Sequence, residues 1–251
     1  MNKLIGEERL LTGDMPGVTR DAIHLDWTYQ DRPIRLVDTA GMRRKAKIDK
    51  RLERLSVGDS LRAIRFAEVT VLVLDAECPL EKQDLSIAEH VINEGRALVI
   101  AVNKSDLVKG DFLSELRHEL QYVLPQVKKV PCISISAKNG RNLDKLMQHV
   151  FEQELLWNTR IGTSVLNQWL EETTSHHPPP LAQGKRIRLK YMTQIKTRPP
   201  TFVIFISKPA ELPDSYLRYL MNQMREDFQL PGVPIRFQVR KGKNPYDKSK
   251  K

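Results

Sequence analysis

Apolar residues in this chain follow two periods. Val69–Leu74, Ala97–Val102 and Thr201–Ile206 are nearly unbroken apolar runs with the length and flanks of strands buried on both faces. Pro33–Val37 and Pro131–Ile135 read as two more strands, ending at Asp38 and Ser136. Between these runs the spacing becomes that of amphipathic helices, over Val57–Phe66, Gln83–Asn93, Phe112–Val123 and Asn142–Leu156. Buried strands alternating with helices predict an α/β fold with a mostly parallel sheet covered on both faces. Ligands of such sheets sit at the carboxyl ends of the strands, where Asp38, Asn103 and Ser136 stand.

After Trp157 the texture changes. Ile161, Val165, Leu166, Trp169 and Leu170 mark one face of a helix, and Arg186–Gln194 and Thr201–Ser207 read as strands. Leu217, Met221, Met224 and Phe228 space a second helix, closed by Pro231-Gly232, and Val233–Val239 is a last strand. SHHPPPLAQG, residues 175–184, is a loop that neither a helix nor a central strand accommodates. The chain thus divides into residues 1–157, a smaller α+β domain at 158–243, and a basic tail at 244–251 expected to be disordered.

Charge sharpens that division. The formal net charge is +10, yet residues 1–157 hold 24 Lys and Arg against 24 Asp and Glu, while residues 158–251 hold 17 against 7. A neutral half joined to a basic half points to a polyanion as the partner of the second, although a basic solubilising surface has the same composition. No apolar run approaches a membrane-spanning length, and MNKLIGEERLLTGD lacks a signal-peptide core. Cys78 and Cys132 have no metal-ligand spacing and are expected to be buried free thiols in a reducing cytoplasm.

The strand ends carry the chemistry. Asn103-Lys104-Ser105-Asp106 follows the run Ala97–Val102. A carboxylate at Asp106 can accept from both the N1–H and the exocyclic amine of guanine, whereas adenine has no such pair and would leave the charge unpaired. Asn103 would tie neighbouring loops together, and the Lys104 stem would lie across the base. Asp38-Thr39-Ala40-Gly41-Met42 closes an earlier strand, with a carboxylate for Mg²⁺ and the Gly41 N–H facing a terminal phosphate. PGVTRD, residues 16–21, offers Thr19 to the same ion. Ser136-Ala137-Lys138 follows a later strand, with the Ala137 N–H toward the guanine O6 and Lys138 over the base. Four such motifs in this order predict a site for GTP or GDP with Mg²⁺.

In that order the motifs resemble those of translation-factor-type GTPases. DTAGMRRKAKIDKRLERLSVGDSLRAI is similar to the second switch of the Der (EngA) family, bacterial GTPases with two tandem G domains. Residues 158–243, with HHPPP, KTRPPTFVIFISKP and FQVRKGKNPY, resemble that family's C-terminal KH-like domain. The resemblance implies a P-loop-type G domain, incomplete, followed by the KH-like domain. It also implies GTP hydrolysis by the parent protein, a role in maturation of the large ribosomal subunit, and contact with ribosomal RNA. Lys185, Arg186, Arg188, Lys190, Arg236 and Arg240 are the candidate RNA contacts, with Lys196, Arg198, Lys241 and Lys243 nearby in sequence.

The sequence departs from the family's pattern in three places. No Gly-x-x-x-x-Gly-Lys-[Ser/Thr] phosphate loop occurs, because Pro179 and Phe237 stand five residues before the glycines of the two Gly-Lys pairs. Residues 2–9 resemble the segment just after that loop, so the chain is expected to be part of a longer parent that supplies the loop, its preceding strand and a first G domain. Met42 stands where Ras-like enzymes keep a water-orienting glutamine. The family it resembles usually has an apolar residue there and relies on K⁺ held through a phosphate-loop asparagine, so hydrolysis by these residues alone is not expected. The basic domain has no Gly-x-x-Gly clamp. That weakens an Era-type assignment, and it leaves a non-enzymatic RNA- or ribosome-binding module as the rival reading.

Overall fold

The computed structural model describes residues 2–6, 23–38, 63–108, 111–182, 184–207 and 212–241. It divides into two units, Met1–Glu154 and Leu155–Lys251.

In the first unit a short helix α1 (Asn2–Ile5) precedes a hairpin of β1 (Ile23–Tyr29) and β2 (Arg32–Asp38). Gln30 and Asp31 both take positive φ, 48° and 62°, the left-handed pair with which a two-residue turn matches the strand twist. The expected strand Pro33–Val37 is therefore present, but it pairs antiparallel with β1 instead of lying in the parallel sheet. The sequence reading contains no strand at β1, although its half-buried Leu25, Trp27 and Tyr29 alternate with exposed Asp26 and Thr28. Among the described residues no strand links β2 to the sheet that follows.

That sheet is β3 (Val69–Asp75), β4 (Ala97–Asn103) and β5 (Cys132–Ser134), parallel and in that order. Helices α2 (Lys82–Asn93), α3 (Phe112–Val123) and α4 (Leu143–Trp157) connect and cover it. Leu72, Leu74, Leu98, Ile100 and Val102 pack with Ala88, Val91 and Ile92 of α2 and Leu116 and Leu120 of α3. On the other face Val99, Ala101, Ile133 and Ile135 pack with Leu146 of α4. Burial on both faces explains why β4 has no alternation in its sequence. At the start of α2, Glu81 and Asp84 form a reciprocal capping box. Of the helix expected at Val57–Phe66, only the turn at residues 63–66 falls within the described residues.

The hairpin tip is held against α4. Tyr29 donates to Asp144 Oδ1 at 2.9 Å and stacks on Phe151 with centroids 5.9 Å apart, and the Arg32 guanidinium lies 4.7 Å over the same ring. Cys132 is buried, and burial pushes its thiol up to about 11. Cys78 is exposed, contrary to the expectation for both thiols, because it sits in the turn after β3 where no helix covers it.

The second unit contains α5 (Thr163–His176), a small hairpin of β6 (Leu181–Ala182) and β7 (Lys185–Arg186), then β8 (Leu189–Thr197), β9 (Pro200–Ile206), α6 (Asp214–Asp227) and β10 (Arg236–Lys241). The sheet order is β10-β9-β8, with β10 parallel and β8 antiparallel to the central β9. Leu166, Trp169 and Leu170 of α5 and Leu220 and Met224 of α6 bury against Met192, Phe202, Ile204 and Ile206. Three expectations shift here. Val165 is 51% exposed rather than inward. The buried stripe of α6 runs through Tyr216, Leu220, Met224 and Arg225, one position off the expected face, which leaves Leu217 and Met221 half-buried. The last strand starts at Arg236 rather than Val233, as Pro234 has no N–H for the ladder.

Candidate functional site

Three parallel strands end side by side in the first unit, and the loops after them bond to one another. Asn103 Oδ1 accepts the Ala137 N–H at 2.9 Å. The Ser105 N–H donates to the Ile135 carbonyl at 3.1 Å, and the Ile135 N–H donates to the Val102 carbonyl at 2.8 Å. Asn142 Nδ2 adds a bond to the Ser134 carbonyl at 2.8 Å. Asn103 thus makes the tie between loops that the sequence leads one to expect. The Ala137 N–H, expected to face a base, donates to Asn103 instead, since the closed loop places that acceptor in reach.

Ser136 is fully buried, and its hydroxyl accepts the Asn139 N–H at 3.3 Å. That hydroxyl also hydrogen-bonds the Asp106 carboxylate; together with the backbone N–H of Asp106 and the charges of Lys138 and Arg141, it holds the carboxyl below its ordinary range. Asp106 is exposed at the strand end, ionised at neutral pH, and so an acceptor only. A paired acceptor of fixed orientation is what the two adjacent donors on a guanine edge require. The acceptor pair of Asp106 is complementary to those two donors.

Lys104 has a positive φ of 65°, which turns its side chain back toward β3. Its Nζ lies 2.6 Å from Asp75 Oδ2 and 3.5 Å from Glu77 Oε2. The hydrogen bond and charge of Asp75, with a smaller contribution from Glu77, raise the Lys104 pKa. Neither acid is among the residues expected from sequence. The available signal is that Asp75 ends its strand in register with Asn103, at the same level of the sheet.

Asp38 ends β2, but its side chain is outside the described residues, as are Thr19, Thr39, Ala40, Gly41 and Met42 altogether. In the second unit Arg236 and Arg240 are exposed on β10, Lys190 and Lys196 on β8, and Arg186 and Arg188 precede β8, also exposed. Arg198 is engaged elsewhere, bonded to Asn158 with its guanidinium 5.7 Å over the Trp157 ring. The side chain of Lys185, the whole of Lys243 and the tail lie outside the described residues. Among the described residues no three His, Cys, Asp or Glu side chains gather as a metal site, and no helix is long and apolar enough to cross a membrane.

Comparison with known proteins separates sequence kinship from likeness of fold. Residues 1–104 match the family model described as 50S ribosome-binding GTPase, and residues 160–240 match the KH-domain-like of EngA bacterial GTPase enzymes, C-terminal. GTPase Der of Mesorhizobium japonicum is 54% identical over 248 residues, covering 98% of this chain and 52% of that protein. GTPase Der of Azorhizobium caulinodans is 52% identical over 251 residues, covering 100% of this chain and 55% of that protein. The chain spans about half the length of these curated relatives. Era in complex with MgGDPNP and nucleotides 1506–1542 of 16S ribosomal RNA aligns over 95% of this chain and 86% of its own, with a TM-score of 0.53 at 16% identity. Aquifex aeolicus Era bound to GDP.AlF4- gives 0.52 at 16% identity, over 97% and 88%. At that identity the kinship with Era is one of fold.

Proposed function

The chain belongs to the Der (EngA) family, whose C-terminal part it matches, and from that premise we propose that it is a GTP-binding ribosome-assembly protein whose base-reading residue is Asp106. One observation carries the reading: an ionised carboxylate, oriented by a buried serine, stands where two loops are bonded together at the end of a parallel sheet. Asn103, Lys104, Ser105 and Asp106, with Ser136, Ala137 and Lys138, line the base. Asp38, Thr39, Ala40, Gly41 and Met42 serve the phosphate side, and Thr19 and Asp38 serve Mg²⁺; K⁺ is a further candidate cation by family resemblance alone, since the Met42 thioether cannot orient a water. Residues 1–157 then form the G domain and residues 158–243 the KH-like domain, with Lys185, Arg186, Arg188, Lys190, Arg236 and Arg240 toward ribosomal RNA. The family description naming 50S ribosome binding supports the large subunit as partner, and the cytoplasm is the compartment this reading implies.

A second reading has its own observation. These 251 residues contain no phosphate loop, so the lysine and N–H cradle that neutralise a triphosphate are absent from them. A module that binds RNA without hydrolysing GTP would look the same. Titration of the isotope-labelled chain with GDP and with ADP, followed by amide NMR, tests the first reading. GDP is expected to shift the amides of residues 103–106 and 136–138, and ADP to leave them in place. Equal shifts with both, or none with GDP, would remove it. Phosphate release with K⁺ and Mg²⁺ present then separates hydrolysis from binding.

A further inference from the structure

The sheet of the second unit has two faces, and among the described residues helices α5 and α6 pack on one of them. Phe202, Ile204 and Ile206 of β9 join Met192 in the core beneath α5 and α6. Thr201, Val203 and Phe205 point to the opposite face, because successive side chains alternate across a strand. Thr201 and Val203 are buried there and Phe205 is half-buried, so the exposed surface of this face comes from the outer strands. The register extends that face over both neighbours. Thr201 stands between Lys196 and Arg236, Val203 between Thr193 and Gln238, and Phe205 between Tyr191 and Arg240. The face therefore has a cationic row, an amide and hydroxyl row, and an aromatic row ending in arginine.

The aromatic row is built. The Tyr191 and Phe205 rings stack with centroids 4.3 Å apart and planes 11° from parallel, while Tyr191 keeps 44% of its surface exposed. A β-bulge between Leu189 and Tyr191 sets this register, putting half-buried Leu189 against the core and Tyr191 opposite Phe205. Beside the rings Arg240 donates to Gln238 Oε1 at 3.1 Å, which steadies its guanidinium on the same face. The three strands contain five Lys and Arg and no Asp or Glu. Solubility alone requires the cations but not a backed, exposed ring among them. An aromatic ring amid cations is the combination that takes up a single nucleic-acid strand, through base stacking and phosphate neutralisation together.

We propose that this sheet face, through the exposed side chains of its two outer strands, binds single-stranded RNA, with an unstacked base on Tyr191 and the backbone along Arg240, Arg236 and Lys196. The inference rests on the reading that the basic unit meets RNA, and adds the face, the strandedness and the stacking residue. It needs no Gly-x-x-Gly clamp, which the sequence does not have. Duplex RNA is disfavoured because its bases are stacked on each other and offer no free face to a ring on a flat sheet.

The test uses the full 251-residue chain and fluorescence anisotropy of a labelled uridine-rich 12-mer, with a fully paired duplex as comparison, over a series of KCl concentrations. The single strand is expected to bind with salt-dependent affinity and the duplex at least tenfold more weakly. Tyr191→Ala should weaken single-strand binding on the order of tenfold without changing the salt slope. Tyr191→Phe should restore it. Arg236→Ala and Arg240→Ala should each flatten the slope by about 0.7. Circular dichroism melting of the Tyr191 variants should match the parent, since this side chain lies outside the core. Wild-type affinity in Tyr191→Ala, or equal binding of duplex and single strand, would overturn the proposal while leaving RNA binding standing. Absence of binding to either RNA would overturn the RNA reading itself. Self-association in sedimentation that Tyr191→Ala dissolves, with RNA affinity unchanged, would make the face a protein contact and overturn it as well.

Discussion

The two three-stranded sheets of this protein carry their chemistry in opposite ways. In the first unit the polar groups are few, lie at the strand ends, and are bonded to one another: Asn103 to Ala137, Asp106 to Ser136, Lys104 to Asp75. In the second unit they are spread over strand residues Lys190, Lys196, Arg236 and Arg240, each exposed. The first arrangement fixes direction and suits a ligand with one recognisable edge. The second fixes mainly charge, which suits a polyanion of any sequence. Recognition by the first should fail when a single bond is lost, whereas the second should weaken by increments.

The largest effects that probe this comparison are on folding. Each unit has its own core, so Leu98→Ala, at a fully buried position in β4, should lower the stability of the first unit by about 2–5 kcal/mol. Ile204→Ala, equally buried in β9, should do the same for the second. Scanning calorimetry should show each variant moving one transition and leaving the other. A common shift of both would mean the units unfold together and would blunt the contrast.

Smaller is the effect of the buried hydroxyl. Ser136→Ala removes the hydrogen bond that chiefly lowers the Asp106 pKa, so the carboxylate should move back toward its ordinary value. The sign follows from a depressed pKa: the Ser136 contribution is present above the ordinary carboxylate value near 3.8 and is lost as pH falls through the lowered one. Guanine preference should drop several-fold at neutral pH, through lost orientation more than lost charge. Carbon-detected NMR titration of the Asp106 carboxyl reads the shift directly, and an unchanged value would break the link between the two residues.

The smallest concerns alkali. Burial raises the Cys132 thiol from 9.0 to about 11, so the stability it contributes is complete below 9 and is lost as pH rises through 11. In the second unit burial raises Tyr216 to about 12 but lowers Arg225 to about 10, and these act in opposite senses. Alkaline melts should therefore lower the first transition more than the second. Iodoacetamide at pH 8 should modify exposed Cys78 and spare Cys132, as peptide mass spectrometry would show.

How legible each region was in the sequence follows the same contrast. The apolar run of β4 announces itself because both faces are covered, and the polar residues that end it stand out against the run. β3 reads the same in sequence, yet Val73 on its second face is 52% exposed, against the expectation of burial on both faces. The ion pair of Lys104 with Asp75 and Glu77 is hidden, since it depends on a left-handed backbone at Lys104 that the sequence does not mark. β1 escapes because a two-stranded ribbon buries only one weak stripe. In the second unit, the basic residues are countable, but which of them share a face depends on two bulges in β8. The stripe of α6 is displaced for a related reason: Tyr216 and Arg225, a phenol and a guanidinium, occupy buried positions that hydropathy assigns to solvent.

The most direct test is of Asp106 itself. Replacing it by asparagine trades an acceptor pair for one acceptor and one donor. That matches xanthine, which carries an oxygen where guanine carries its amine. Competition between GDP and XDP, read from the amides of residues 103–106 and 136–138, gives a preference ratio for each protein. The native chain should favour GDP, and Asp106→Asn should favour XDP, with the ratio moving on the order of a hundredfold. If the variant keeps its preference for GDP, Asp106 does not read the base.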